Sequence, residues 1–332
     1  MKILFIGHDT GWMGLHLTQF AAGFNRLGHQ TMICDYGKLE SHWFPLCRSE
    51  KAKNERLHRQ LKKVIDEFKP DIVFFIIANL KFNFPMIREY YKGKMAVYDM
   101  DGPGWKCYKT LTWIKDIDML FTASKISLRD LQKQQIEAVY LADGVDVNYY
   151  GPNNLSPAEI KYYGSPVSFV GRPTPRRVRM LSGIADLGLT VWGRRWSRQK
   201  ECDNPVLWRC NRVKKDIIGE NAVKIYNASG LSVNILREPL NDPPTIMSLQ
   251  VFIVPASGTC LLTEWVEELE EMFEPGKELL TFRNEDEFKE LAKKYSKDIA
   301  AARQIGMAGR KRCAADHTHE KRAEYIIKSI YQ

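Results

Sequence analysis

Three segments of the chain concentrate residue types that can hold charge and move protons. The first is Gly7-His8-Asp9-Thr10-Gly11-Trp12-Met13-Gly14, which joins an apolar run to an amphipathic one. Glycines there let the backbone approach a ligand, and a helix start favours an anion, so Thr10 and Gly11 read as a loop for acceptor or phosphate. His8 and Asp9 suit removal of a hydroxyl proton near neutral pH. The plainer role for His8 is a structural hydrogen bond within the loop. The second segment is Asp99-Met100-Asp101-Gly102, at the end of an apolar run. Its carboxylates can orient a polar substrate, bind a metal or act as base, or simply shape a turn. His8, Asp9, Asp99 and Asp101 are therefore four candidate catalytic groups, and their types alone do not choose among them.

The third segment, Gly171-Arg172-Pro173-Thr174-Pro175-Arg176-Arg177, follows an apolar strand directly. Guanidinium groups so placed can fork onto a diphosphate, whose charge grows as a leaving group departs. Arg177 is the preferred ligand and Arg172 the next, with at least one arginine left facing solvent. Further on, Pro255-Ala-Ser-Gly-Thr-Cys-Leu-Leu-Thr-Glu264 sets a small-residue turn before an apolar strand. Such a turn can offer N–H groups to a ribose or phosphate, or serve as a bare connection.

Charge placement points the same way. From Arg172 to Lys215 twelve basic side chains face three acidic ones, a surplus of nine that equals the whole net charge of +9. An anionic partner is expected near that stretch. Arg194, Arg195 and Arg198, interleaved with Trp196 and followed by Trp208, mix cations and aromatics as nucleic-acid contacts do. The seven cysteines are odd in number and none sits at CxxC spacing, which argues against a disulfide framework and a zinc site and for reduced thiols in the cytoplasm. The start, MKILFIGHD, reads as a first strand and not as a signal peptide, and no apolar run nears the ~20 residues of a membrane span. Glycines at 7, 11 and 14 miss the GxGxxG spacing, which disfavours a NAD-dependent enzyme.

The elements that must position these residues alternate from the first residue. Strands are expected at Lys2–Ile6, Thr31–Cys34, Asp71–Ile77, Met95–Tyr98, Met119–Thr122 and Ala138–Leu141, with helices between them. Asp71-Ile-Val-Phe-Phe-Ile-Ile77 is a continuous apolar run after a lone Asp, as in a strand covered on both faces. Turn formers over 149–157 read as a linker. Alternation resumes at Val167–Val170 and continues through Leu189–Trp192, Leu231–Ile235, Cys260–Thr263 and Leu279–Phe282, with Asn284 as N-cap of a later helix. The expectation is α/β: two Rossmann-like doubly wound domains facing across a cleft. The domains are placed at 1–150 and 165–314, with a linker at 151–164. A last helix, 315–332, packs back toward the first domain.

The second half resembles the CgeB-like glycosyltransferases (spore protein CgeB, glycosyl transferase group 1-like), a branch of the GT-B group. The matching residues are Val167–Gly171 with Pro175 and Arg177, Val191-Trp-Gly193, Tyr226-Asn-Ala-Ser229, Val233-Asn-Ile235, Phe252, Val254–Gly258, Leu261–Glu264 and Leu269–Glu278. The first half rests on Gly7-His8-Asp9, Gly28-His29, Asp35-Tyr36-Gly37, Lys69-Pro70-Asp71 and Asp143-Gly144-Val-Asp146. The resemblance implies transfer of a sugar from a nucleotide sugar, with no cofactor and no bound metal. It implies a donor site on Gly171, Arg172, Arg177, Tyr226, Asn227, Ser257, Gly258, Thr259, Thr263 and Glu264. It implies that the N-terminal domain takes the acceptor and the C-terminal domain the donor, with a glycan, lipid or protein hydroxyl as the expected acceptor; the basic stretch adds, as an alternative, a modified base in DNA as some phages use. One departure stands out: where the family carries Arg-x-x-Glu, this chain has Gln250 and Ile253. Ile253 cannot accept a hydrogen bond from ribose, so Glu264 or Glu238 would have to substitute, or the chain is an inert binding protein of the same fold.

Overall fold

The computed structural model describes residues 1–7, 11–35, 50–76, 82–100, 113–196, 202–213, 215–236 and 247–332. The chain divides into two compact units, Met1–Gly144 with His319–Gln332, and Val145–Thr318.

In the first unit six parallel strands, β1 (Lys2–Gly7), β2 (Gln30–Asp35), β3 (Ile72–Ile76), β4 (Lys94–Asp99), β5 (Met119–Thr122) and β6 (Val139–Tyr140), lie in the order β2-β1-β3-β4-β5-β6. Alternation explains why both faces are dry. Val73 and Phe75 join the cluster under α2 (Glu50–Phe68) and α3 (Phe84–Tyr90). Ile72, Phe74 and Ile76 join the one under α1 (Gly11–Arg26). Helix α1 presents Leu17, Phe20, Ala21 and Phe24 at helical spacing. Phe5 meets Phe20 and Phe24 edge-on at 5.8 and 5.1 Å. Between β5 and β6 runs α4 (Lys125–Lys133), capped by the Ser124 hydroxyl accepting from Ser127 N–H.

The second unit holds α5 (Pro157–Tyr163), β7 (Ser165–Val170), α6 (Pro175–Ser182), β8 (Leu189–Trp192), α7 (Pro205–Cys210), β9 (Asn211–Val213), α8 (Glu220–Ala228) and β10 (Ser229–Asn234). It continues through α9 (Gln250–Ala256), β11 (Cys260–Glu264), α10 (Leu269–Met272), β12 (Leu280–Phe282), α11 (Glu285–Tyr295) and α12 (Ile299–Asp316). Its parallel sheet runs β12-β11-β10-β7-β8-β9, which is the 3-2-1-4-5-6 winding of a dinucleotide-type domain. Asn284 caps α11 as its sequence implies, accepting from Asp286 and Glu287 N–H. Residues 151–164 fall within this unit. Ser156 and Glu159 form a capping box that starts α5, and Asn153 N–H donates to Asn227 Oδ1 at 2.7 Å.

The last helix, α13 (His319–Tyr331), returns to the first unit. It packs on α1 so closely that a Cβ at Gly23 would lie 2.6 Å from that of His319. Arg322 Nε donates to the carbonyls of Ala142 and Asp143 at 2.8 and 3.0 Å. Among the described residues Cys34, Cys202, Cys210, Cys260 and Cys313 are free thiols, and no helix is long and apolar enough to cross a membrane.

Candidate functional site

Open parallel sheets bind ligands beyond the carboxyl ends of their strands, where the winding reverses. In the second unit that point lies between β7 and β10. Gly171 and Arg172 follow β7, Gly193 and Arg194 follow β8, Ile235 follows β10, and Glu264 ends β11. The backbone here is tightly pinned. A Cβ at Gly193 would stand 2.1 Å from the Gly171 carbonyl, so only glycine fits. The Gly171 N–H bonds the Trp192 carbonyl at 2.9 Å, and the Gly171 carbonyl accepts from the Trp196 indole at 2.7 Å. Trp196 is fully buried and meets Phe169 edge-on.

All three arginines of the glycine–arginine segment are engaged, each differently. Arg177 is buried. Its Nε donates to the Ile235 carbonyl at 2.8 Å and its Nη1 to the Arg172 carbonyl at 3.0 Å, while the guanidinium lies over Phe169. It thereby ties the ends of β7 and β10 together. Arg176 forks onto Glu264 at 2.7 and 2.5 Å, and Glu264 also accepts from Leu236 N–H at 3.3 Å. Arg172 forks onto Asp216 at 3.1 and 2.7 Å, and Arg194 Nε stands 3.2 Å from the same carboxylate. The hydrogen bonds from Arg172 hold the Asp216 carboxyl below its ordinary range, with Arg194 and Arg195 adding to the pull. Of these groups, Arg172, Asp216 and Arg194 are the more exposed, at 34 to 40% of the side chain.

The donor residues expected from the sequence do not form one cluster. Gly171, Arg172, Arg177, Thr263 and Glu264 gather at the carboxyl edge. Asn227, Ser257, Gly258 and Thr259 precede β10 and β11, so a parallel sheet puts them at the amino edge, about 13 Å away over four residues. Their polar groups close that edge. The Thr259 hydroxyl donates to the Tyr226 carbonyl at 2.6 Å, and the Ser257 hydroxyl to the Val254 carbonyl at 2.6 Å. Asn227 Nδ2 donates to the Val223 and Gly151 carbonyls. Pro255 and Ala256 end α9, and the expected small-residue turn follows at Ser257 and Gly258, where Gly258 takes φ +82. Tyr226 has its backbone at the amino edge, yet its hydroxyl lies 3.4 Å from Gln250 Nε2. Burial pushes that hydroxyl up to about 12.

Gln250, one of the two departures from the family pattern, donates from Nε2 to the Val170 carbonyl at 2.7 Å, and Ile253 is buried. Two residues at this edge were given no site role by the sequence, although the second lies in the matched Val233-Asn-Ile235 motif. Asp216 is one. Asn234 is the other: fully buried at the end of β10, it donates to the Thr263 hydroxyl at 2.9 Å, and its Oδ1 has no hydrogen bond among the described residues.

In the first unit the winding reverses between β1 and β3. Asp99 ends β4 half-buried, with its carbonyl accepting from Ala123 N–H. Gly11 opens α1 with φ +62 and, among the described residues, no neighbour within 4 Å of where a Cβ would be. His8, Asp9, Thr10, Asp101, Arg198 and Glu238 lie outside the described residues. Tyr98 donates to Asp143 Oδ1 at 3.0 Å, and His16 Nε2 is 3.5 Å from the same oxygen. This polar group was not read from the sequence beyond Asp143 itself. No cluster of metal-ligating side chains occurs among the described residues. The aromatics of the basic stretch are structural, with Trp196 buried and the Trp208 indole donating to the Cys202 carbonyl. Arg195, Arg209, Arg212 and Lys215 are exposed.

Two parallel six-stranded sheets with flanking helices define the fold of the GT-B glycosyltransferases. A family model described as glycosyl transferase-like matches residues 176–328. The whole chain superposes on a glycosyltransferase from Rickettsia africae at 13% identity, covering 99% of this chain and 97% of that one, with a TM-score of 0.72. HepE from Anabaena, solved with UDP and glucose, aligns at 12% identity over 100% and 99% with a TM-score of 0.70. An alpha-glucosyltransferase solved with UDP and a 13-mer DNA aligns at 10% identity over 100% and 99%, also with a TM-score of 0.70. Comparison with curated protein sequences returns no match.

Proposed function

We propose that the chain transfers a sugar from a nucleoside diphosphate sugar to an acceptor hydroxyl, within the CgeB-like branch and in the cytoplasm. The second unit holds the donor and the first receives the acceptor. The observation that carries this reading is the set of guanidinium groups at the reversal point of the second sheet. Arg172 stands there at the end of β7 and Arg194 beside it at the end of the neighbouring β8, both exposed enough to meet a ligand. As the sugar leaves, negative charge grows on the diphosphate, and guanidinium groups already in place stabilise that change. Arg177 braces the strand ends, and Arg172 is the contact. Asp99, with His8, Asp9 and Asp101, remains the set from which the acceptor's base is drawn, and Thr10 with Gly11 the loop that seats the acceptor. Thr263 and Glu264 stay in the donor set. Tyr226, Asn227, Ser257, Gly258 and Thr259 act on it through the backbone they hold.

A second reading concerns the acceptor. Arg194, Arg195, Arg209, Arg212 and Lys215 form a basic edge suited to a DNA backbone, and a structural neighbour was solved with DNA. With its tryptophans committed to the protein, such an edge would grip phosphates rather than stack bases. The test is titration of the full chain with UDP, GDP, TDP and CDP, followed by release of UDP or its equivalent from the matching nucleotide sugar. One nucleotide should bind, and Arg172→Ala should abolish that binding. No binding by any of the four removes the donor reading. Binding without turnover, with any acceptor, would leave a nucleotide-binding protein in which Ile253 marks the lost ribose contact. Duplex DNA binding that weakens steeply with salt supports the DNA acceptor, and salt-insensitive or absent binding eliminates it.

A further inference from the structure

The acid that neutralises Arg172 sits where a ligand's phosphates would compete for the same guanidinium. Asp216 follows β9, on the carboxyl side of the strand next to β8. It occupies Arg172 through both Nε and Nη2, the two donors with which an arginine forks onto a phosphate. It also has a second cation at hand, Arg194 at 3.2 Å, so it need not lose its counter-charge if Arg172 turns away. The pair is partly exposed, and exposed pairs exchange partners at little cost. Arg176 and Arg177 offer no such exchange, since Glu264 and two backbone carbonyls hold them in more buried settings.

We propose that Asp216 is an internal competitor for the diphosphate site: it holds Arg172 when no donor is present and passes to Arg194 when a diphosphate takes its place. This rests on the donor reading above. The device sets a threshold. A ligand must offer Arg172 more than one carboxylate does, and two adjacent phosphates, with more charge and more acceptor oxygens, exceed that by a wider margin than a single phosphate. Asp216 thus determines specificity for diphosphates over monophosphates.

The experiment is calorimetric titration of the full chain at low ionic strength with inorganic pyrophosphate, orthophosphate and UDP. It uses the unaltered protein, Asp216→Asn, Arg172→Ala and the double variant, with melting curves to show that each is folded. Asp216→Asn should bind pyrophosphate about two- to fivefold tighter, the scale set by release of one exposed ion pair, and should bind orthophosphate measurably. The double variant should behave as Arg172→Ala does. Unchanged or weaker pyrophosphate binding by Asp216→Asn overturns the proposal, because the carboxylate would then be positioning Arg172. If UDP binds and depends on Arg172 while Asp216→Asn changes nothing, the donor reading stands and the competitor falls. If Asp216→Asn gains pyrophosphate affinity but no nucleotide binds, the competitor stands and the donor reading falls. No binding of any probe overturns both.

Discussion

Arg172 and Arg177 differ by five positions and play opposite physical roles, which stability measurements can separate without knowledge of the substrate. Arg177→Ala removes two hydrogen bonds from a charged donor to the Ile235 and Arg172 carbonyls, each worth about 1.5–3 kcal/mol. It also removes a cation lying 5.3 Å from the Phe169 ring centre, worth about 0.5–2 kcal/mol. A loss of about 3.5–8 kcal/mol follows. In a unit of this size each kcal/mol moves the midpoint by about 2–4 °C, so its melting temperature should fall by at least about 6 °C. Arg172→Ala breaks an exposed ion pair and should cost no more than about 1 kcal/mol, a shift below about 4 °C. Differential scanning calorimetry reads both, and Trp196, packed on Phe169 beside the bond network, offers a fluorescence probe of the same transition. Nucleotide binding should disappear in Arg172→Ala at nearly full stability. If Arg177→Ala melts within 2 °C of the unaltered chain, the guanidinium is not a brace, and its place at the strand ends must be explained by a ligand.

Two further outcomes follow from the geometry. His319 is buried against His16, and its pKa is pushed well below the ordinary value first by burial and then by the charges of His16, Arg322 and Arg26. The unfolded chain therefore takes up a proton that the folded chain refuses, so stability is full above about pH 6.5 and falls below it by about 1.4 kcal/mol per pH unit. Urea midpoints at pH 7.5 and 5.5 test this, and His319→Asn should flatten the dependence; His58, lowered by burial while its Nε2 accepts from Asn83 N–H, contributes with the same sign. Gly193→Ala forces a Cβ to within 2.1 Å of the Gly171 carbonyl and should cost several-fold more stability than Gly11→Ala. At Gly11 the added methyl meets nothing within 4 Å among the described residues, and the left-handed φ costs about 1–2 kcal/mol. Equal melting temperatures for the two variants would contradict the close approach of the strand ends.

Strand periodicity carried most of the architecture, because covered parallel strands leave runs such as Ile72–Ile76 that hardly admit another reading. What escaped was short or ambiguous. Helix α9 holds Pro255 within it, so its end reads as a connection until tertiary packing makes it helical, and α8, which ends in Tyr226-Asn-Ala, was not among the expected helices. The segment read as a linker folds into the second unit because Ser156 and Glu159 cap a helix whose seven residues give too short a period to notice.

The site was legible where its chemistry lies at the end of a strand, and obscure where the strand direction decides. Ser257 to Thr259 and Glu264 are neighbours in sequence, and a residue pattern treats them as one motif. Yet β11 runs between them, so the same five residues that make the motif compact in sequence hold its two halves at opposite edges of the sheet. Charge counting failed in a related way. It found the surplus of basic residues from Arg172 to Lys215 and stopped one position before Asp216, the acid that Arg172 and Arg194 converge upon. A count of charges measures the field that an anionic partner meets from afar. Which guanidinium that partner can take is set by local pairing, and the three arginines after β7, alike in sequence, are assigned by it to a brace, a fixed pair and an exchangeable one.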